Sequence, residues 1–202
     1  MDFTLSDSAR EAAALARDLA SADGGLGASG RDLLKEADEA GYGLAERCAI
    51  LIELGRHAAD VPVPDDVLSS AAYQLGVVEK ALEMTAAHAT SRIQFERPIG
   101  SFQAVSQRLA DAYIDVEALR VAVWQAVWCL TDDPPAAAEV ATAGFWAAEA
   151  GHRVLHTAVH VHGGTGLDLD YPLHRYFLAA EKHEFRFGGA TAQLLTLSEV
   201  LR

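Results

Sequence analysis

Arg92, Phe95 and Gln103 fall within one short stretch, Arg92-Ile93-Gln94-Phe95-Glu96-Arg97-Pro98-Ile99-Gly100-Ser101-Phe102-Gln103, between two long apolar-periodic segments. A cation, an aromatic ring and an amide grouped this closely suit a planar, anionic ligand with hydrogen-bonding edges. A plain helix–helix connection needs less. Pro98 cannot continue a helix, Gly100 relaxes the backbone, and Ser101 is placed to cap the segment that follows. A second group, His160-Val161-His162-Gly163-Gly164-Thr165-Gly166, closes a later helical segment. One glycine is enough for a C-cap, whereas this many let a backbone lie flat against a ligand and offer N–H groups to phosphate oxygens. Taken alone, the glycines fit either a cap or a ligand contact.

His152, His156 and His160 recur four apart on one helical face, and Glu149 precedes His152 as Glu-x-x-His. Half of a carboxylate-bridged di-metal site has this form. The second Glu-x-x-His that such a site needs does not occur, so a partly exposed or interface histidine stripe is expected, and no metal. Trp124, Trp128 and Trp146 are expected as core or interface anchors, and Glu181, Lys182, Glu184 and Arg186 as a solvated face or subunit rim.

These groups need rigid elements to hold them, and nearly all of the chain has helical periodicity. Shorter helices are expected over about 7–19, 32–40 and 44–58, with a flexible loop at 21–30 and a break at Gly41-Tyr42-Gly43. Val61-Pro62-Val63-Pro64 favours an extended connector. Three long helices are expected over about 65–90, 101–130 and 135–162, and a shorter pair over 171–185 and 189–201. In the first, Val67, Leu75, Val78 and Leu82 share a face. Asp132-Asp133-Pro134-Pro135 separates the last two long helices and supplies acidic residues to the helix it precedes. No strand-like alternation is seen. The expected fold is all-α, an antiparallel helical bundle at 65–202 with a small N-terminal helical region at 1–60 and a connector at 61–64.

Composition bounds the partners. At 202 residues and half hydrophobic, the chain has room for one domain, or one bundle with an appendage. A formal net charge of -13 argues against nucleic acid or an anionic membrane surface. It leaves room for an anionic ligand, because a local arginine or helix N-terminus overrules a distant field. Two cysteines, Cys48 and Cys129, are too few for a disulfide framework. With no signal peptide or membrane-spanning run read, a soluble cytoplasmic protein is expected.

Together the two groups resemble the acyl-CoA dehydrogenase family. Its C-terminal helical domain carries an Arg-x-x-Phe-Gly-x-Pro-Ile-x-x-x-Gln segment and, later, a Gly-Gly-x-Gly turn. Tyr171-Pro172-Leu173-His174-Arg175-Tyr176 is similar to the family's Tyr-Pro-x-x-Arg-x-x-Arg helix start. The resemblance covers residues 65–202 well, and 1–60 more weakly through Met1-Asp2-Phe3-Thr4-Leu5-Ser6, 34–44 and Glu53-Leu54-Gly55. It implies an FAD shared with a neighbouring subunit. Arg92 would meet the pyrophosphate, Phe95 would pack on the flavin or adenine portion, and Gln103 would hydrogen-bond. His160 would stand where a Gln often touches the cofactor, and Gly163 and Gly164 would approach the pyrophosphate.

The departures from the family pattern are informative. The family normally inserts a β domain between its helical halves, and here Pro62 leads to Asp65 with nothing between. The usual catalytic Glu, in a Tyr-Glu-Gly-Thr segment, has its counterpart in Phe187-Gly188-Gly189-Ala190, so the carboxylate becomes Gly188. Abstracting a proton next to a thioester needs a positioned base, and Gly offers none. Ala190 and Ala192 replace polar positions, and Glu96 replaces the motif's first Gly. Some members place the base near the start of the first long C-domain helix, which falls on Asp66 here. Asp66 also fits as an N-terminal helix carboxylate favoured by the dipole.

Two functions follow from the resemblance. The chain is one subunit of a flavin-dependent acyl-CoA dehydrogenase, in a hetero-oligomer with a full-length dehydrogenase-like subunit that carries most of the acyl-CoA site. Alternatively, it is a non-catalytic bundle that stabilises or regulates such a partner without binding flavin. A third reading is a free-standing metal- or ligand-binding bundle.

Overall fold

The computed structural model describes residues 5–22, 28–132 and 134–202. Helices α1 (Asp7–Ala22), α2 (Ala28–Glu39) and α3 (Leu44–Arg56) precede the long α4 (Val67–Ser91). A hairpin, β1 (Ile93–Gln94) and β2 (Arg97–Pro98), and a 3-10 turn (Ile99–Ser101) lead to α5 (Gln103–Asp132) and α6 (Ala137–His162). A second 3-10 turn (Gly163–Leu167) precedes α7 (Leu173–Phe185) and α8 (Gly189–Val200). The expected all-α antiparallel bundle is observed. Of the loop expected at 21–30, Ser21 and Ala22 close α1 and Ala28 to Gly30 open α2; residues 23–27 lie outside the described residues, as do 1–4 and Asp133.

α4 is the central helix. Its burial extends well beyond the expected apolar face, because α3, α5, α6 and α7 all pack on it. Polar residues are therefore buried within it, and most are paired. Ser70 Oγ meets His183 Nδ1 at 2.8 Å, Thr85 Oγ1 donates to the Ala81 carbonyl at 2.6 Å, and Glu79 takes Arg56 at 2.7 Å together with Arg120. The Glu79 cluster ties α3, α4 and α5 together. Its desolvation cost is offset because each buried charge has a direct partner.

Residues 57–66 link α3 to α4 without any strand, and the two helices touch backbone to backbone. A Cβ on Gly76 would lie 1.8 Å from the Ile52 carbonyl oxygen, and one on Gly55 would lie 2.1 Å from that of Tyr73. The linker is lashed down by bonds from Tyr73 Oη to the Ala59 carbonyl (2.8 Å) and from Arg186 to that of Val63 (2.8 Å). The core is continuous across it: Leu33, Ile50 and Leu54 cluster with Leu75, Val78 and Val123.

Three local expectations are corrected. The hairpin contradicts the absence of strands: Ile93 pairs with Pro98 and Gln94 with Arg97. Two-residue strands are too short to reveal alternation, and the turn between them is made by Phe95 and Glu96, both at positive φ (50° and 65°). Ser101 does not cap α5. It lies in the 3-10 turn, its hydroxyl donates to the Pro98 carbonyl at 2.7 Å, and extended Phe102 stands before the helix instead. Asp132 ends α5 rather than leading α6, whose first turn carries Glu139.

Candidate cofactor-contact site

The hairpin, the 3-10 turn after it, the start of α5 and the end of α6 converge on a cleft of about 410 Å³. Phe95, Ile99, Phe102, Arg108 and His160 line it. Of the residues expected in the site, the cleft thus brings Phe95 and His160 together. Phe95 sits at the hairpin tip, 86% exposed, with its ring edge-on to Phe102 at 6.1 Å. The Arg97 guanidinium lies 4.1 Å from the Phe102 ring centre, so the ring is fixed from one side by a cation.

The other expected residues flank the cleft and are not part of its wall. Arg92 is the C-cap of α4 and exposed; its carbonyl accepts from Ile99 N–H at 2.9 Å, which joins its backbone to the lining. Its guanidinium forms no ion pair among the described residues. Gln103, also exposed, opens α5 between two lining residues, Phe102 and Ala104. Gly163 and Gly164 follow the lining residue Val161.

The glycines differ in what they require. Gly163 caps α6 at φ 61° and ψ −137°, a backbone that side chains avoid. Gly166 is held by packing, since a Cβ there would lie 3.1 Å from that of His162. Gly164 needs neither reason, and no atom lies within 4 Å of a Cβ added to it or to Gly163. The face of this turn is open.

His162 anchors the turn from below. Its Nδ1–H donates to the Ala158 carbonyl (2.8 Å) and its Nε2 accepts from Tyr171 Oη (3.1 Å), while its ring stacks on His88 at 4.3 Å. Burial holds the His162 pKa below the usual histidine value; His88 is lowered by burial, then by His162 and Arg92. Burial thus favours the neutral ring in both, and a neutral His162 with its proton on Nδ1 serves both of its bonds.

Sequence reasoning missed two participants. Phe102 has the spacing of a core residue and instead lines the cleft. Arg108 adds a second cation; its signal was the helical face it shares with Ala104 and Val105 at the start of α5.

Asp66 and Gly188 lie at the opposite end of α4, whose length is roughly 36 Å. Asp66 is the N-cap: Oδ1 accepts from Ser69 N–H at 2.7 Å. The turn holding Gly188 is close by, because Arg186 reaches the Val63 carbonyl and Asp65. Gly188 is left-handed (φ 83°), and a Cβ there would meet that of Ala192 at 2.7 Å. The backbone has settled where a side chain is refused.

His152, His156 and His160 are exposed along α6, while the group read as a solvated rim is more engaged than expected. Glu184 keeps 11% of its side-chain exposure and meets His152, and Glu149 turns to Arg153 rather than to any histidine. Among the tryptophans, Trp124 and Trp146 pack on the core and Trp128 is exposed.

Residues 67–201 match the family model described as acyl-CoA dehydrogenase, C-terminal domain. The chain is 60% identical over 142 residues to acyl-CoA dehydrogenase FadE27 of Mycobacterium tuberculosis, covering 66% of this chain and 38% of that protein. Its fold is similar to a chain of the ChsE4-ChsE5 complex from Mycobacterium tuberculosis, with TM-score 0.88, 29% identity and coverage of 100% and 99% of the two chains. A variant of the steroid ACAD Tcur3481-Tcur3483 matches at 40% identity and TM-score 0.63, over 76% of this chain and 40% of that one. The chain spans about two fifths of the length of the curated relatives it matches. Among the described residues no helix is long and apolar enough to cross a membrane.

Proposed function

The chain belongs to the acyl-CoA dehydrogenase family, and from that premise we propose that it is one subunit of a flavin-dependent enzyme, completing the FAD site of a full-length partner across their interface. The partner carries the β domain, the base and most of the acyl-CoA pocket. When bound, FAD supplies the hydride acceptor for α,β-desaturation of the thioester. The residues of this chain hold and orient it.

The observation that carries the reading is Phe95. A phenylalanine 86% exposed in left-handed backbone gives up about 1.5–3 kcal/mol of burial and about 1–2 kcal/mol of conformational energy. That arrangement is explained if another surface covers the ring. The surroundings fit a dinucleotide: Arg92 without an ion-pair partner among the described residues, Arg108 and His160 on the cleft wall, and open backbone at Gly163 and Gly164. Arg92 would neutralise a phosphate oxygen, Phe95 would stack on a ring, and Gln103 and His160 would donate hydrogen bonds.

The opposite end of α4 supports leaving proton abstraction to the partner. Gly188 has no side chain, and the Asp66 carboxylate is engaged by a helix N–H. The hetero-oligomer is supported by likeness to a protein whose name is that of a two-component complex. The same Gly188 turn also fits a second reading, a purely structural subunit. Co-expression with the full-length subunit separates them. Flavin retained by the complex and lost with Arg92→Ala is the expected result; flavin unchanged by the substitution favours the structural role.

A further inference from the structure

We propose that His152 and His156 of α6 and Glu181 of α7 form a binding site for a divalent transition-metal ion of the zinc class, with Glu184 holding His152 in place. One ligand atom from each of the three residues lies within 4.8 Å of the others. A tetrahedral zinc ion at the usual bond lengths sets its ligands about 3.3 Å apart. Closing that gap takes small rotations of side chains that are half exposed.

The helix supplies the bite. His152 and His156 are one turn apart, both exposed, with ring centres separated by 4.3 Å, which sets two imidazoles side by side on one helix face. Phe177 packs edge-on to His156 at 5.4 Å and limits its swing. Glu184 Oε1 lies 3.2 Å from His152 Nδ1. A carboxylate on Nδ1–H fixes the tautomer and leaves the Nε2 lone pair for a metal, the usual outer-shell arrangement of a metal-binding histidine. Glu181 Oε1 lies 3.8 Å from His156 Nε2 and completes a donor set of two nitrogens and one oxygen, with water left for the fourth position.

Charge favours a cation here. Among the described residues, the only ion-pair partners of Glu181 and Glu184 are these two histidines. The nearby Arg153 is engaged by Asp115 and Glu149, and Arg186 by Asp65. A bound ion would staple α7 to α6 one turn before His160 and the cofactor cleft.

The test is titration of the full chain, purified without a histidine tag, with Co²⁺ as a visible probe and Zn²⁺ as competitor. One equivalent per chain is expected, displaced by Zn²⁺, with affinity falling at least about tenfold in His152→Ala and in His156→Ala, and by a similar factor in Glu184→Gln. His174→Ala is the control and should bind normally. No saturable uptake, or uptake unchanged in both His152→Ala and His156→Ala, overturns the proposal. Unchanged affinity in Glu184→Gln overturns the orienting role of that carboxylate. His152 and His156 are exposed and Glu184 and His174 partly buried, so far-ultraviolet circular dichroism should confirm that each variant folds.

Discussion

His183 should make this protein acid-sensitive in a defined window. The imidazole is 7% exposed between α4 and α7, bonded through Nδ1 to Ser70 and stacked on Tyr73 at 4.6 Å. Burial, then Arg186 and Lys182, lowers its pKa from 6.5 to about 4. Below pH 6.5 the unfolded chain takes up a proton that the native chain refuses, so stability falls with pH. The loss accumulates from about pH 6.5 to about pH 4, below which both states are protonated. At about 1.4 kcal/mol per pH unit the full effect is on the order of 3 kcal/mol. The assay is urea unfolding of the full chain at a series of pH values, beside His183→Gln. The variant starts less stable at pH 7.5, and its stability should fall less steeply between pH 6 and 4.5, by up to about one proton's worth. Half-buried His57 and His88 and buried His162 contribute in the same direction and leave a residual slope in both proteins. Equal slopes would refute the reasoning.

Other expectations follow from individual backbone positions. Asp66→Asn should keep the N-cap and stability within a few tenths of a kcal/mol, whereas Asp66→Ala should lose about 1 kcal/mol. Turnover by the complex should survive Asp66→Asn; a fall of about 10² or more would make Asp66 the base. Gly188→Glu should not raise turnover and should cost about 1–3 kcal/mol in urea unfolding, from φ 83° and the 2.7 Å approach to Ala192. Glu96→Gly should stabilise the chain by about 1 kcal/mol, seen as a melting point raised by about 2–4 °C, because it relieves a residue at φ 65°.

The long helices were legible because their apolar spacing persists over many turns, and two prolines made 61–64 legible as a break, which the structure widens to 57–66. The hairpin was not. Its strands are two residues each, and its turn places Phe95 and Glu96, rather than glycines, at positive φ. The same local geometry gives meaning to Glu96, which the sequence marks only as a departure from the family's Gly. Gly188 is a similar case. The missing carboxylate is visible in the sequence, but the left-handed turn that now excludes a side chain is a property of the backbone. Arg108 and Phe102 were missed because their role depends on how α5 faces the end of α6. The carboxylate partners of His152 and His156 come from α7, which periodicity within α6 cannot reveal.

The central claim is that FAD is held jointly. Its most direct measurement is flavin content, by absorbance, of this chain, of the full-length partner and of their complex, each purified and desalted in the same way. Flavin should stay with the complex, be largely absent from this chain alone, and be lost from the complex on Arg92→Ala or Phe95→Ala while the subunits still co-elute. A complex that keeps its full flavin with both residues replaced would contradict the account.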